Sequence, residues 1–350
     1  MKTRKIMVVL LALLMVAAMM SGCAKPADKP ADESVAPAQT DEAAAPAADD
    51  GAKYRIGFAN ASISNSWRVY MRDLLLAACE ENNVELIETD ANDDANKQIS
   101  DIESLLQKDL DAILITPCME DSVNPGIEAA FDSGIPVIIF DRHCSTDKYT
   151  HFVSYPDKDC AIVSADYMVA ALKEKYGEAK GNIIMLDTGA GSGTQNKLEE
   201  GWNEVLGQYP DIKIIARQFC DWERGKAKSF MEDCLQRFKE GEIDGFISGD
   251  GSQSLGAMDA IVEAGRDKEG IVFTNTDGSN GVCRLVKEGV CAGLAQFPCR
   301  CSVDALDIAL AVLNGNPPAE KDIFLPIVKV DKSNVDQYYR PDADDSDWTM

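Results

Sequence analysis

With 350 residues, 45% hydrophobic and 27% charged, the chain is long enough for about two globular domains with a sizeable core. Its formal net charge of -25 excludes nucleic-acid binding, where Lys and Arg must neutralise phosphates, and adhesion to anionic lipid through charge alone.

The chain opens with a basic stretch, Lys2, Arg4 and Lys5, followed by an apolar run from Ile6 to Met20. That run has the length of a signal-peptide core and falls short of the ~20 residues a membrane helix needs. It ends in Met20-Ser21-Gly22-Cys23, which resembles a bacterial lipobox, with Met where Leu is more usual. Residues 1–22 are therefore expected to be a lipoprotein signal peptide, cleaved before a lipidated Cys23. The alternative is a plain secretory signal with an incidental Cys23. Residues 23–52 are rich in Ala, Pro, Asp and Glu, cannot bury enough apolar surface to offset chain entropy, and read as a disordered linker to the anchor. The expected location is extracytoplasmic, lipid-anchored to the cell membrane. Residues 341–350 form an acidic tail of similar character, with Asp342, Asp344, Asp345 and Asp347.

From Lys53 the pattern alternates. Strands are predicted at Tyr54 to Phe58, Val84 to Thr89, Ala112 to Thr116 and Ile135 to Phe140, with helices at Trp67 to Asn82, Asp94 to Lys108 and Val123 to Asp132. After Val153 the alternation restarts with helices at Asp159 to Tyr176, Gln195 to Gln208, Arg224 to Lys239, Ser252 to Ala264, Ser279 to Glu288 and Ser302 to Leu313. Between them lie strands at Asn182 to Leu186, Lys213 to Phe219, Gly245 to Ser248, Ile271 to Thr274 and Cys291 to Gln296, and Ile323 to Val330 closes the series. Alternating strands and helices imply βαβ units and parallel sheets, and so many strands divide into two similar α/β halves.

The Val137-Ile138-Ile139-Phe140 run fits a strand buried on both faces, and it stops at Asp141 and Arg142. Ligands of open α/β sheets bind outside the carboxyl ends of strands, and a carboxylate beside a guanidinium can grip a hydroxyl-rich ligand. The same two residues fit a surface ion pair equally well. Gly189-Ala190-Gly191-Ser192-Gly193 sits where a phosphate loop would, but Thr194 replaces the last glycine of G-x-G-x-x-G, so a flexible strand-to-helix turn is the better reading. Asp141, Asp250 and Asp277 at strand ends suit a carboxylate pair for glycoside cleavage, or acceptors for sugar hydroxyls. No general-base histidine and no G-x-S-x-G elbow is evident. Trp67 and Trp222 open helices at strand ends, where a Trp either covers the core or packs on a sugar ring. Export would permit disulfides among the ten cysteines beyond Cys23, and sequence does not show pairing, but Cys79, Cys160 and Cys234 sit in helical apolar patterns, and mostly free thiols are expected. With only His143 and His151, and Cys299 and Cys301 too close for a zinc pair, no metal and no cofactor is expected.

Ser64-Asn65-Ser66-Trp67-Arg68 after the first strand, Ile135-Pro136-Val137 leading into Phe140-Asp141-Arg142, Leu255-Gly256-Ala257 after Asp250, Thr276-Asp277-Gly278, and Ala295-Gln296 occur in this order and spacing. Together they resemble the periplasmic-type sugar-binding proteins of the ribose and galactofuranose class, the substrate-binding lipoproteins of ABC importers, over about Tyr54 to Val330. The resemblance implies a type I periplasmic-binding-protein fold, an α/β architecture of two Rossmann-like lobes with parallel sheets. Three crossings, near Ser154, Gln296 and Leu325, would form the hinge. The lobes would comprise residues 53–153 with 297–325, and residues 154–296 with 326–340. Asn65, Asp141, Arg142, Asp277 and Gln296 match sugar-contacting positions, and Trp67 and Trp222 match ring-stacking aromatics. Arg68 matches the Trp-Arg of the galactofuranose binders. Asn196 stands where ribose binders have a second arginine, and Asp250 where they have an asparagine. Two arginines against three carboxylates disfavour phosphorylated or carboxylated ligands. The implied function is capture of a neutral monosaccharide and its delivery to a permease by a monomer, without catalysis. A sugar sensor presenting its ligand to a membrane kinase or chemoreceptor, and a secreted carbohydrate-active enzyme, remain open. A regulator of the lac-repressor type, which shares the fold, is not expected, because the chain shows an export signal in place of a DNA-binding headpiece.

Overall fold

The computed structural model describes residues 53–348. The expected signal peptide, Cys23 and linker lie outside the described residues.

The first sheet holds β1 (Tyr54–Asn60), β2 (Val84–Asp90), β3 (Ala112–Ile115), β4 (Val137–Phe140), β5 (His151–Ser154) and β11 (Asp322–Phe324), in the order β11-β5-β4-β3-β1-β2 and all parallel. The second holds β6 (Gly181–Asp187), β7 (Ile212–Phe219), β8 (Gly245–Ser248), β9 (Val272–Asn275), β10 (Cys291–Gln296) and β12 (Val328–Val330), in the order β12-β10-β9-β8-β6-β7, with β12 antiparallel to β10. The inner five strands follow the same doubly wound order in both sheets, each reversing direction of travel beside its first strand. This is the type I periplasmic-binding-protein architecture. β3, β4 and β8 are apolar and buried throughout, as strands covered on both faces must be.

Helices cover both faces. Around the first sheet lie α1 (Ser66–Glu81), α2 (Ala95–Leu105), α3 (Asn124–Asp132) and, far later in sequence, α9 (Cys301–Leu313), which packs on α1, β3, β4 and β5. Around the second lie α4 (Asp157–Tyr176), α5 (Gly193–Leu206), α6 (Arg224–Arg237), α7 (Gly251–Glu263) and α8 (Asn280–Glu288). The chain passes between the two sheets at Ser154 to Asp157, Gln296 to Cys301 and Phe324 to Val328. We call the two sets of elements the first and second lobes. Asn65, Asp94, Ser192 and Asp250 cap α1, α2, α5 and α7 by accepting the N–H three residues on. Each cap sits where a strand gives way to a helix, so the residues that start helices also face the ligand end of the sheets.

Four local expectations change. β5 was not anticipated, because His151-Phe152-Val153-Ser154 is too short to show a period. The single strand expected at Ile323 to Val330 is two, one in each sheet, because Pro326 interrupts the ladder. α4 begins at Asp157 rather than Asp159, directly after Pro156. The acidic tail is docked as far as Trp348. Asp345 pairs with Arg284 at 2.8 Å, the Asp347 carbonyl accepts the Asn280 N–H, and Trp348 is 1% exposed. Its carboxylates have specific partners, which a composition-based reading does not register. Cys79, Cys118, Cys144, Cys160, Cys220, Cys234, Cys291, Cys299 and Cys301 are free thiols.

Candidate functional site

Asn65 fixes the entry to α1 by accepting the Arg68 N–H at 2.9 Å. The first turn of α1 then delivers Trp67 and Arg68 to the carboxyl ends of β1, β3 and β4. Trp67 is anchored by its Nε1, which donates to the Phe297 carbonyl at 3.1 Å, and by an edge contact with the Phe297 ring at 5.8 Å. Arg68 is buried. It donates to Asp141 Oδ2 at 2.5 Å and to Asn60 Oδ1 and Thr116 Oγ1 at 3.4 and 3.5 Å.

Asp141 leaves β4 with a φ of 66°, a left-handed turn held by the Ser154 hydroxyl, which donates to the Asp141 carbonyl at 2.6 Å. That turn aims Asp141 back at Arg68 and Arg142 forward. Arg142 donates to Asp93 Oδ1 at 3.2 Å and to the Cys118 carbonyl at 3.5 Å, and its guanidinium lies 4.2 Å from the centre of the Trp222 ring. Burial, then Arg68, lowers its pKa to about 10, so it remains a cation at neutral pH.

Trp222 comes from the second lobe, after β7. Asp221 and Trp222 have φ of 50° and 57°, a conformation that is rare and costly for a bulky residue, on the order of 1–3 kcal/mol. The Gly-rich loop explains how it is tolerated. A Cβ on Gly189 would lie 2.2 Å from the Trp222 ring, so the first glycine is the seat of that ring. A Cβ on Gly193 would lie 2.7 Å from the Cβ of His143 in the first lobe. The loop is the strand-to-helix turn anticipated, and its first and last glycines serve close approach.

The second lobe contributes Asp250, Asp277 and Asp157. Asp250 caps α7 by accepting the Gln253 N–H at 2.9 Å, and burial pushes its pKa up to about 7. Asp277 Oδ1 accepts the Gly251 N–H at 2.6 Å; burial, then the charge of Asp250, holds its pKa well above the usual carboxylate range. Asp157, the first residue of α4, is 1% exposed, and neither oxygen has a hydrogen-bond partner; His143 Nε2 lies 3.5 Å away. Its pKa is raised by burial, against the opposing pull of His143.

Asn65, Trp67, Arg68, Asp141, Arg142, Trp222, Asp250 and Asp277 line one concave cavity, the kind of place where small ligands bind. The other two candidates do not. Asn196 is exposed and its side chain donates to Glu120 across the rim, because α5 turns Thr194 and Leu198 inward instead. Gln296 is fully buried behind the wall, where its Nε2 donates to the Gly278 carbonyl at 3.3 Å. Asp157, Thr194, Thr276 and Phe297 also line the cavity and were not anticipated. Asp157 had one available signal, a Pro-Asp step at the first crossing. Among the described residues no cluster of His, Cys, Asp and Glu is arranged to hold a metal ion, and no helix is long and apolar enough to cross a membrane.

Comparison with known proteins agrees with this geometry. The family described as "Periplasmic binding protein domain" matches residues 56–317. A xylitol-binding protein of Mycolicibacterium smegmatis is 30% identical over 256 residues, 73% of this chain and 71% of that protein. A solved ABC-transporter solute-binding protein from Mycobacterium smegmatis, with bound glycerol, superposes with a TM-score of 0.76 at 25% identity, covering 85% of this chain and 99% of that one. The fructose-binding periplasmic domain of a hybrid two-component system superposes with a TM-score of 0.73 at 29% identity, covering 81% and 92%.

Proposed function

From the premise that this chain belongs to the periplasmic-binding-protein family, we propose that it binds a monosaccharide bearing neither phosphate nor carboxylate and delivers it to an ABC permease. The observation that carries this reading is the cavity between the lobes, where aromatic rings and hydrogen-bonding charges converge. Trp67 and Trp222 offer flat faces to the C–H face of a sugar ring. Arg68 and Arg142 donate to its oxygens, and Asp141, Asp250 and Asp277 accept from its hydroxyls. Hydrogen bonds to charged groups contribute roughly 1.5–3 kcal/mol each, enough to hold a ligand with few apolar atoms.

In this reading residues 53–153 with 297–325 and residues 154–296 with 326–340 act as two lobes that close on the ligand through the three crossings. Contacts made only in the closed state give the ligand its differential affinity for that state. The chain works as a monomer, without cofactor or catalysis, outside the cytoplasm and tethered through Cys23. Gln296 supports the Asp277 turn from behind, and Asn196 acts only at the rim.

A thermal-shift screen against pentoses, hexoses, polyols and nucleosides tests the proposal. A true ligand at a hundred times its Kd stabilises the chain by about 2.7 kcal/mol. Failure of every sugar and polyol to shift the folded chain rejects it. Small-angle scattering with the hit should show a smaller radius of gyration, and a labelled disaccharide should be recovered intact. The Cys23→Ser variant should leave the membrane fraction while still binding sugar.

A second reading has one observation in its favour, the likeness to the fructose-binding domain of a two-component system. There the cleft is the same and the partner is a membrane kinase. Deletion of the chain in its host would then abolish a transcriptional response while sugar uptake continues.

A further inference from the structure

The two walls of the cleft carry unequal charge. On the first lobe, Arg68 is neutralised by Asp141 at 2.5 Å and Arg142 is paired with Asp93 at 3.2 Å. On the second lobe, Asp157, Asp250 and Asp277 line the cavity and no Lys or Arg from that lobe joins them. Two guanidiniums thus face four carboxyl groups, a formal excess of two negative charges. Adding Asp157 to the sequence-based count is what doubles the excess.

These are not surface acids. Asp157 and Asp250 are each 1% exposed and Asp277 is half-buried beside them in the cavity wall, where an unpaired charge is disfavoured. Asp250 and Asp277 each satisfy one oxygen with a backbone N–H, at 2.9 and 2.6 Å. Asp157 does not: both oxygens lack a hydrogen-bond partner, and the side chain is 1% exposed in the wall of the cavity. His143 Nε2 at 3.5 Å is the basic group facing it, from the first lobe, with Thr194 beside it on the second. A carboxylate whose facing protein donors are the His143 imidazole at 3.5 Å and Thr194 has lone pairs left for a ligand, and a cationic donor both fills them and cancels its charge.

We propose that the ligand is a monosaccharide- or cyclitol-sized polyol carrying one ammonium group, which is received by Asp157 together with Asp250 and Asp277. This rests on the sugar-binding reading above and narrows it. Burial raises the pKa of all three carboxyls, and the charge of Asp250 adds to the rise at Asp277.

The test is calorimetry on the purified chain with pairs of ligands differing only by a hydroxyl or an amine. Suitable pairs are glucose and glucosamine, galactose and galactosamine, mannose and mannosamine, and myo-inositol with its amino analogues. We expect the amino member of at least one pair to bind at least tenfold more tightly at pH 7.5. Asp157→Asn, which keeps the shape of the side chain, should reduce that preference below threefold and should raise the thermal midpoint of the unliganded chain. Neutral members binding as tightly as their amino partners, or a preference that survives both Asp157→Asn and Asp250→Asn, overturns the ammonium assignment and leaves sugar binding standing. A folded chain that binds no member of any pair, and no neutral sugar in the thermal-shift screen, overturns both.

Discussion

The two walls of the cleft are built from the same topological positions, the carboxyl ends of doubly wound strands, yet they settle their charges differently. The first lobe closes its own accounts of hydrogen bonding: Arg68 to Asp141, Asn60 and Thr116, Arg142 to Asp93 and the Cys118 carbonyl, and Trp67 to Phe297. The second lobe leaves Asp157 without a hydrogen bond and buries Asp250 beside Asp277. What compensation the second wall has comes from across the cleft, as His143 reaches towards Asp157 and Arg142 stacks on Trp222. The difference gives the two lobes different tasks. The first is a template whose side chains hold one another in place. The second has more to gain from a ligand, so under the proposed hinge closure its charges would supply the drive.

Breaking the template should have the largest effect. Asp141→Ala leaves Arg68 buried without its counter-ion, and losing one partner of a buried pair costs about 3–5 kcal/mol. Chemical denaturation should show that loss, and calorimetry a fall in affinity of at least tenfold, about 1.4 kcal/mol. Arg142→Ala should lose binding to a similar degree while remaining folded. Wild-type affinity in both variants would place the site elsewhere.

The second wall should respond to pH in the opposite sense to an ordinary salt-bridged carboxylate. Asp250 ionises near 3.8 when unfolded and near 7 when buried in the unliganded fold. Between those values the folded chain holds more protons than the unfolded one. Stability from this group is therefore fully present below about pH 4 and is lost as pH rises through about 7, at up to ~1.4 kcal/mol per pH unit for one proton. Asp250→Asn keeps an oxygen to cap α7 and should flatten the slope of unliganded stability between pH 4 and 7. An unchanged slope would show that Asp250 is ionised throughout.

The same contrast marks how far the sequence could be read. The fold was legible because buried parallel strands are short apolar runs alternating with amphipathic helices, four of which start at a capping Asn, Asp or Ser. The template was legible because Asn65, Trp67, Arg68, Asp141 and Arg142 lie within two short motifs. The second wall was only half legible. Asp250 and Asp277 end strands and were anticipated, but Asp157 enters through a crossing, where Pro156 starts the helix two residues before the apolar period begins. Asn196 was assigned to the cleft by position on α5, and a helix shows which residue turns inward only once its packing is known: Thr194 does, and Asn196 does not. The docked tail was illegible because its acidic composition hides the one apolar residue, Trp348, that holds it down.

Contacts between the walls should matter less than either wall alone. Trp222→Ala removes the ring over Arg142, an interaction of about 0.5–2 kcal/mol, and also a left-handed bulky residue. Affinity should fall roughly two- to thirtyfold, that range converted to a binding constant. Thermal stability of the unliganded chain should fall little or even rise as strain is released. A variant that loses stability but keeps affinity would mean that Trp222 is a core residue and not part of the ligand face.

The smallest expected effect tests whether the walls are also joined from outside the cleft. The tail is fastened to the second lobe, where Asn280 donates to the Asp347 carbonyl at 2.7 Å, Arg284 pairs with Asp345 at 2.8 Å, and Trp348 bridges to Ser279. Its indole then crosses to the first lobe and donates from Nε1 to Ser66 Oγ at 3.1 Å, one residue from Asn65 and Trp67. A hydrogen bond between the lobes is a closed-state contact, so its loss should lower affinity without altering either lobe. Ser66→Ala removes the acceptor and leaves the ring in place. A single hydrogen bond contributes about 0.5–1.5 kcal/mol, so Kd should rise roughly two- to tenfold. Arg284→Ala, which loosens the tail from its anchored side, should act in the same direction and by no more. Stopped-flow measurement should put the change in the dissociation rate, because the contact forms after the ligand has entered. If both variants release ligand at the wild-type rate, the tail is packing against a closed molecule and takes no part in keeping it closed.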